Sequence, residues 1–372
     1  MFDDIRPYYD SEIKSAMNRI ADSEFFSLLS SYVFPDSDVD QVRELVRGID
    51  NIHDFQHKIM YQANCRIIAN TISEFTYSGV ENITRGAQHL YVSNHRDIML
   101  DASLLQNILI DNELDTTEIT FGANLMQSDI VVDIGKSNKM FKVERPSSNM
   151  REFYIASKHL SEYMRTTLCH RGQSIWIAQR NGRSKDGLDR TDQGIINMFT
   201  MSGSSDKVAS LADLNILPIA VSYEWESCDI LRAVELFARS QGPYVKREGE
   251  DLNSILQGIL QYKGSVHFEF CKPITAEDLK PCREMTSNEV NRYVASLIDS
   301  RICSGYRLMP NNYIAHDMLS GSDNYSTHYT AAQREEFEGY LSRLDELEHK
   351  SEIRDILLGI YANPVNSKNQ FL

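Results

Sequence analysis

A chain of 372 residues with 38 Lys and Arg against 53 Asp and Glu carries a formal charge of −15. A global polyanion is poorly suited to displacing counterions from a nucleic-acid backbone, which excludes a general nucleic-acid binder; 42% hydrophobic and 24% charged residues are globular values and exclude wholesale disorder. At roughly 150 residues per domain the length fits two domains, or one large domain with additions, with ample chain to bury a core.

In chain order, residues 1–76 read as a helical N-terminal region. Glu12 to Leu29 and Ile52 to Ile72 carry apolar residues at three- and four-residue spacing, with a turn signal at Phe34–Asp38 between them. The first 50 residues hold eleven acids and five bases. Residues 77–280 change character, with short apolar runs alternating with helical stretches. Strands are predicted at His89–Ser93, Glu118–Ala123, Lys139–Val143, Ser174–Ala178, Ile216–Tyr223 and Ser265–Phe270, and helices at Met99–Ile110 and Asn149–Thr167. That alternation predicts an α/β domain, a mostly parallel sheet flanked by helices. Residues 281–372 return to helix. Thr286-Ser-Asn-Glu289 has the form of a capping box and opens a helix to about Cys303; Ala331–Ala362 is a second helical stretch after the polar loop Leu319–Ser326.

The six cysteines (65, 169, 228, 271, 282 and 303) form no C-x-x-C pair and read as free thiols of a reducing compartment. The start Met-Phe-Asp-Asp-Ile-Arg is unlike a signal peptide, and no stretch approaches the roughly 18 apolar residues of a membrane span. A cytoplasmic protein is expected, with any membrane contact peripheral and on the cytoplasmic face.

The strongest local signal is Val92-Ser-Asn-His95-Arg-Asp97-Ile-Met-Leu-Asp101. A strand ends there and a His follows at its carboxyl edge, where open α/β sheets place ligands. A carboxylate within one or two helical turns would fix the imidazole tautomer and leave its other nitrogen to take a proton from a hydroxyl. The bland reading makes Asp97 a helix N-cap and His95 a satisfied strand-end residue.

This segment resembles the first motif of the glycerolipid acyltransferases, the glycerol-3-phosphate and lysophosphatidate acyltransferases, which is His, four residues, then Asp. Here five residues separate His95 from Asp101 and one separates it from Asp97, so Asp101 is the nearer match and Asp97 the alternative. Four more segments follow in the family's order. Met140–Arg145 resembles the Phe/Arg strand motif, and Ile175–Ser184 the Gly-Thr-Arg-Ser motif, with Gly182, Arg183 and Ser184 kept and Arg180 or Asn181 in place of the customary Glu. Leu217–Val221 is similar to the apolar strand with an internal Pro, and Gly264–Ile274 to the closing Pro-Ile strand. The resemblance spans residues 79–274. It implies acyl transfer from acyl-CoA or acyl carrier protein, as co-substrate, to a hydroxyl of a glycerol-phosphate-type acceptor, with no metal or bound organic cofactor. His95 would be the general base and Asp101 its orienting partner; Arg145 and Arg183, with Arg180 and Lys142, would hold the phosphate, and Gly182 would let the backbone come close.

Charge counting agrees independently. Between Lys142 and Arg190 there are ten bases and five acids, a positive stretch inside an anionic chain and a funnel for a small anion. Arginine's planar fork suits phosphate, although Lys158 and Arg165 fit a solvated helix face. His53 and His57 have metal-ligand spacing without an obvious third ligand and read as core or surface histidines. The expected acceptor is 1-acyl-glycerol 3-phosphate in phospholipid synthesis, ahead of glycerol 3-phosphate or another lipid hydroxyl. A non-catalytic phospholipid-binding or scaffolding protein on the same fold is the reading from another class.

Overall fold

The computed structural model describes residues 2–145 and 149–371. The N-terminal region folds as α1 (Asp10–Asp22), α2 (Phe26–Val33), α3 (Val39–Gly48), α4 (Ile52–Phe55) and α5 (Tyr61–Thr71), with one π turn at Gln56–Met60. Helix does not continue to residue 76 as expected. Ile72–Ser78 is strand β1, where β-branched and aromatic side chains suit the pleat and a neighbouring strand supplies the ladder, from Ile72 opposite Gly264 to Ser78 opposite Glu269.

The sheet then builds in chain order: β2 (Leu90–Ser93), α6 (Leu100–Asp111), β3 (Glu118–Gly122), α7 (Asp129–Ser137), β4 (Met140–Val143), α8 (Met150–Cys169) and β5 (Ile175–Ala178). After α9 (Gln193–Thr200) and α10 (Lys207–Ala212) comes β6 (Ile216–Tyr223). It is followed by α11 (Asp229–Gln241), α12 (Glu250–Leu260) and β7 (Gly264–Phe270). The strands order as β1-β7-β6-β2-β5-β3-β4. Only the β6–β7 pairing is antiparallel, which makes the sheet mostly parallel, as predicted.

Helices cover both faces. Tyr163 of α8, Phe199 of α9 and Ile298 of α13 (Ser287–Gly305) pack on Val92, Ile175 and Ile177. On the other face Leu104, Leu105 and Ile108 of α6 pack on Tyr91, Trp176 and Leu217. Each such fully buried side chain contributes about 1.5–3 kcal/mol. The capping box holds: Thr286 N donates to Glu289 Oε2 at 2.8 Å at the start of α13.

The C-terminal chain continues as α14 (Pro310–Ser320), α15 (Ala331–Leu341) and α16 (Lys350–Asn369). The single stretch expected over 331–362 is therefore two helices. A 3₁₀ turn at Ser342–Leu344 and a left-handed His349 (φ +57°) break it. The break lets Phe337 and Leu341 on one side, and Ile353 and Leu357 on the other, bury against one cluster, which a straight helix cannot do. No helix among the described residues is long and apolar enough to cross a membrane.

One consequence of the strand order sets up the site. β6, β2, β5, β3 and β4 are neighbours and mutually parallel, so their carboxyl ends open at a single edge.

Candidate active site

At that edge β2 delivers His95. The β2–β6 ladder stops at Ser93, but Asn94 extends it with its side chain: Oδ1 accepts from Val221 N at 2.7 Å and Nδ2 donates to Val221 O at 2.9 Å. The backbone is thereby fixed up to the histidine. His95 Nδ1 donates to Asp101 Oδ2 at 2.9 Å, and the imidazole keeps 14% of its surface open while Asp101 has none. Helix α6 starts at Leu100, so Asp101 stands in its first turn and points back at the strand end. The same carboxylate accepts from Arg96 N at 2.6 Å, Asp97 N at 3.0 Å and Tyr223 Oη at 2.9 Å. Four donors leave it one position. Burial beside Asp101 and Asp97 drives the Tyr223 phenol far above its ordinary value, so it remains a donor. Trp176 packs edge-on against the imidazole at 5.7 Å between centroids.

Asp97, the alternative partner, does not bond to His95. Its Oδ1 accepts from Met99 N and Leu100 N, both at 2.8 Å, and its Oδ2 accepts from the Ser227 hydroxyl. It closes the turn that leads into α6, close to the capping role of the bland reading, while the N-cap position itself is Met99. Helix α12 passes so close that a Cβ on Gly258 would meet Asp97 Oδ2 at 2.3 Å; only glycine fits there.

The exits of β3, β4 and β5 bring up the cations. In the β3–β4 register Gly122 lies opposite Val143, which sets Asn124 level with Arg145. Arg145 Nε donates to Asn124 Oδ1 at 2.7 Å, and its Nη1 donates to the Asn181 amide oxygen on the β5 exit loop. Gly182 turns through φ +76°, and its position leaves Arg145 Nη1 3.8 Å from where a Cβ would stand. The next peptide hangs on the histidine: Ser184 N donates to His95 O at 2.7 Å. Arg183, which precedes it, has a buried Nη1 with no hydrogen-bond partner among the described residues. A buried guanidinium donor left unspent is costly, and a water or an anionic ligand would satisfy it.

The other expected phosphate ligands are engaged. Arg180 Nη1 reaches Leu188 O at 3.4 Å within its own loop. Lys142 Nζ pairs with Glu144 at 2.7 Å, and its charge acts on Asp4. The structure therefore groups His95, Asp101, Arg145, Gly182 and Arg183, and sets Lys142 against its own acid. The His53 and His57 rings stack at 4.0 Å, and no cluster of three or more His, Cys, Asp or Glu suited to a metal occurs among the described residues.

Sequence reasoning missed a second set of charges directly beneath. Arg96, wholly buried, donates to Glu226 Oε1 at 2.6 Å and to Asp189 Oδ2 at 2.5 Å. Glu226 also accepts from Arg232 at 2.8 Å, and Tyr306 lies 5.1 Å under the Arg96 guanidinium. Burial opposes the charge on Arg96, and the pull of Asp189 and Glu226 overcomes it. The signal available in the sequence was Arg96 itself, inside the His–Asp motif; its partners lie some 90 to 210 positions away.

Residues 74–222 match the family model described as Acyltransferase. The matched segment contains His95, Asp101, Arg145, Gly182 and Arg183, and bears out the resemblance read in the sequence. Among solved structures, the 1-acyl-sn-glycerophosphate (LPA) acyltransferase PlsC from Thermotoga maritima is similar at 14% identity, covering 79% of this chain and 95% of that one with a TM-score of 0.39. No curated protein sequence matches the chain.

Proposed function

With residues 74–222 matching the acyltransferase family model, we propose that the chain transfers a fatty acyl group from a thioester, acyl-CoA or acyl carrier protein, to the free hydroxyl of 1-acyl-glycerol 3-phosphate. The carrying observation is the His95–Asp101 pair, 2.9 Å apart, with the Arg183–Ser184 peptide bonded to the histidine carbonyl. His95 Nδ1 is committed to Asp101, which leaves Nε2 to take the acceptor's proton. The oxygen so activated attacks the thioester carbonyl directly, and the proton held on Nε2 passes to the departing thiolate. No enzyme nucleophile intervenes. Arg183, whose Nη1 has no partner among the described residues, and Arg145, bonded to the amide oxygens of Asn124 and Asn181, supply the phosphate contacts. Gly182 keeps the loop backbone open between them.

A lipid acceptor, rather than a soluble one, is supported by α12. Its inner face presses on Asp97, and its Asp251 accepts from Asn124, the residue that holds Arg145. Its outer face exposes Leu252, Leu256 and Leu260, one turn apart, and residues 252–262 contain no charge. An apolar face on the helix that holds Arg145 through Asp251 and Asn124 suits peripheral contact with a bilayer on its cytoplasmic side.

The test is transfer of labelled acyl groups from acyl-CoA to three acceptors. 1-Acyl-glycerol 3-phosphate should be used best, glycerol 3-phosphate less well, and monoacylglycerol, which lacks the phosphate, negligibly. Equal use of monoacylglycerol would remove the role of the arginines. Binding of lysophosphatidate vesicles with no transfer to any acceptor would replace this reading with the scaffold one.

A further inference from the structure

The β5 exit loop leaves the sheet at Ala178 and returns where Asp192 N donates to Gln179 O at 2.9 Å. Between these points it has no strand to lean on, yet it carries Gly182 and Arg183. What it leans on is a closed circuit of hydrogen bonds. His95 O accepts from Ser184 N at 2.7 Å. Ser184 O accepts from Arg232 Nη1 at 3.0 Å, and Arg232 Nη2 donates to Glu226 Oε2 at 2.8 Å. Glu226 Oε1 then accepts from Arg96 Nη1 at 2.6 Å, and Arg96 is joined to His95 by a peptide bond. A branch from Arg96 Nη2 reaches Asp189 at 2.5 Å and Gly187 O at 3.4 Å, further along the same loop. Arg96, Arg232 and Glu226 are all at most 1% exposed.

Buried ion circuits of this kind add little to stability compared with well-packed apolar side chains, so stability is a weak reason for one here. Geometry is a better one. The two carboxylates and two guanidiniums bridge the exits of β2, β5 and β6 beyond the last ladder bonds, and both ends of the circuit are the two residues flanking the site, His95 and Ser184.

Resting on the acyl-transfer reading above, we propose that Arg232 is a positioning residue. Through Ser184 it sets the spacing between the base His95 and the phosphate arginine Arg183, and it touches neither substrate. The spacing matters because the acceptor spans it: the phosphate sits on Arg183 while its hydroxyl must meet Nε2, and misplacement by an ångström costs up to about a hundredfold.

The test uses the full chain and Arg232→Lys. A lysine keeps the charge opposite Glu226, but its single nitrogen cannot serve both Glu226 and Ser184 O as the guanidinium fork does. Hydrogen exchange of the peptide covering residues 180–188 should speed up about tenfold, with the core strands unchanged. In the transfer assay kcat should fall about tenfold with the acceptor KM held within about threefold, and this loss should largely vanish in an Arg183→Ala background. Should Arg232→Lys fail to fold, Ser184→Pro, which deletes the Ser184 N–H, takes the same two measurements. Unchanged loop exchange overturns the proposal. So does a kcat loss that multiplies fully with Arg183→Ala, because that is the signature of a smaller folded fraction. A wild-type chain that transfers to no acceptor refutes the acyl-transfer reading instead, and the exchange measurement still decides whether the circuit holds the loop.

Discussion

His95 and Arg96 are consecutive, and the chain sends them to opposite kinds of place. His95 turns to the open edge of the sheet with one nitrogen bonded and the imidazole partly exposed. Arg96 turns inward, into a set of two guanidiniums and two carboxylates in which Glu226 and Asp189 meet it directly. The upper group keeps capacity at the open edge: the second imidazole nitrogen, the Arg183 Nη1 without a partner among the described residues, and Arg145 bonded to the amide oxygens of Asn124 and Asn181. The lower group pairs its charges with one another, Arg96 with Asp189 and Glu226 and Arg232 with Glu226, all buried from solvent. Charge that is paired and buried fixes a shape, and charge held at the open edge of the sheet is available for chemistry.

Removing a member from each group should therefore give opposite phenotypes. Arg96→Met leaves Glu226 with Arg232 and Asp189 with the Asn94 amide in place of a cation, and should cost about 3–5 kcal/mol, read from the urea midpoint of unfolding. A loss under 1 kcal/mol would erase the distinction between the groups. Arg183→Ala removes a guanidinium whose Nη1 has no hydrogen-bond partner among the described residues, so the midpoint should hold. The acceptor KM should rise about ten- to a hundredfold, the worth of a charged hydrogen bond at about 1.5–3 kcal/mol. A destabilised Arg183→Ala with unchanged KM would move that arginine into the lower group.

The smallest effect concerns Lys263, a buried cation whose Nζ donates to three uncharged oxygens, Gln261 O at 2.6 Å, Thr71 Oγ1 at 3.1 Å and Ile259 O at 3.4 Å. Burial lowers its ammonium from 10.5 to about 8, with Asp97 and Cys228 pulling the other way. Between these values the unfolded chain holds a proton that the folded one has released, so this contribution raises stability as pH climbs from about 8 to 10.5. Below that window both states are charged and the fold bears the full desolvation penalty. The stability gap between wild type and Lys263→Met should widen in favour of wild type across that window and stay flat below it. A gap that stays flat throughout would show a cation as well accommodated as Arg96.

Much of this was legible in the sequence because it is local. Strands β2 to β7 lie within a residue or so of their predicted ends, since short apolar runs bounded by turns have few other fates. The His95–Asp101 pair could be read from one ten-residue window, and Asp97 closes the turn into α6 two residues ahead of the N-cap, the position the bland reading gave it. Strand β1 was hidden because its preference for the pleat only matters once β7, some 190 residues later, lies beside it. The break near His349 was hidden because both halves are good helix, and only their shared cluster requires the turn. The buried circuit left no pattern at all. Asp189, Glu226 and Arg232 carry no motif and come together only when the strand order brings the exits of β2, β5 and β6 side by side.

The most direct measurement is acyl transfer to 1-acyl-glycerol 3-phosphate by His95→Ala, with folding checked by thermal melting on the same sample. The His95 ring is partly open, so the melting temperature should stay within a few degrees while the rate falls by about 10²–10⁴-fold. Transfer at the wild-type rate from folded His95→Ala would contradict the account.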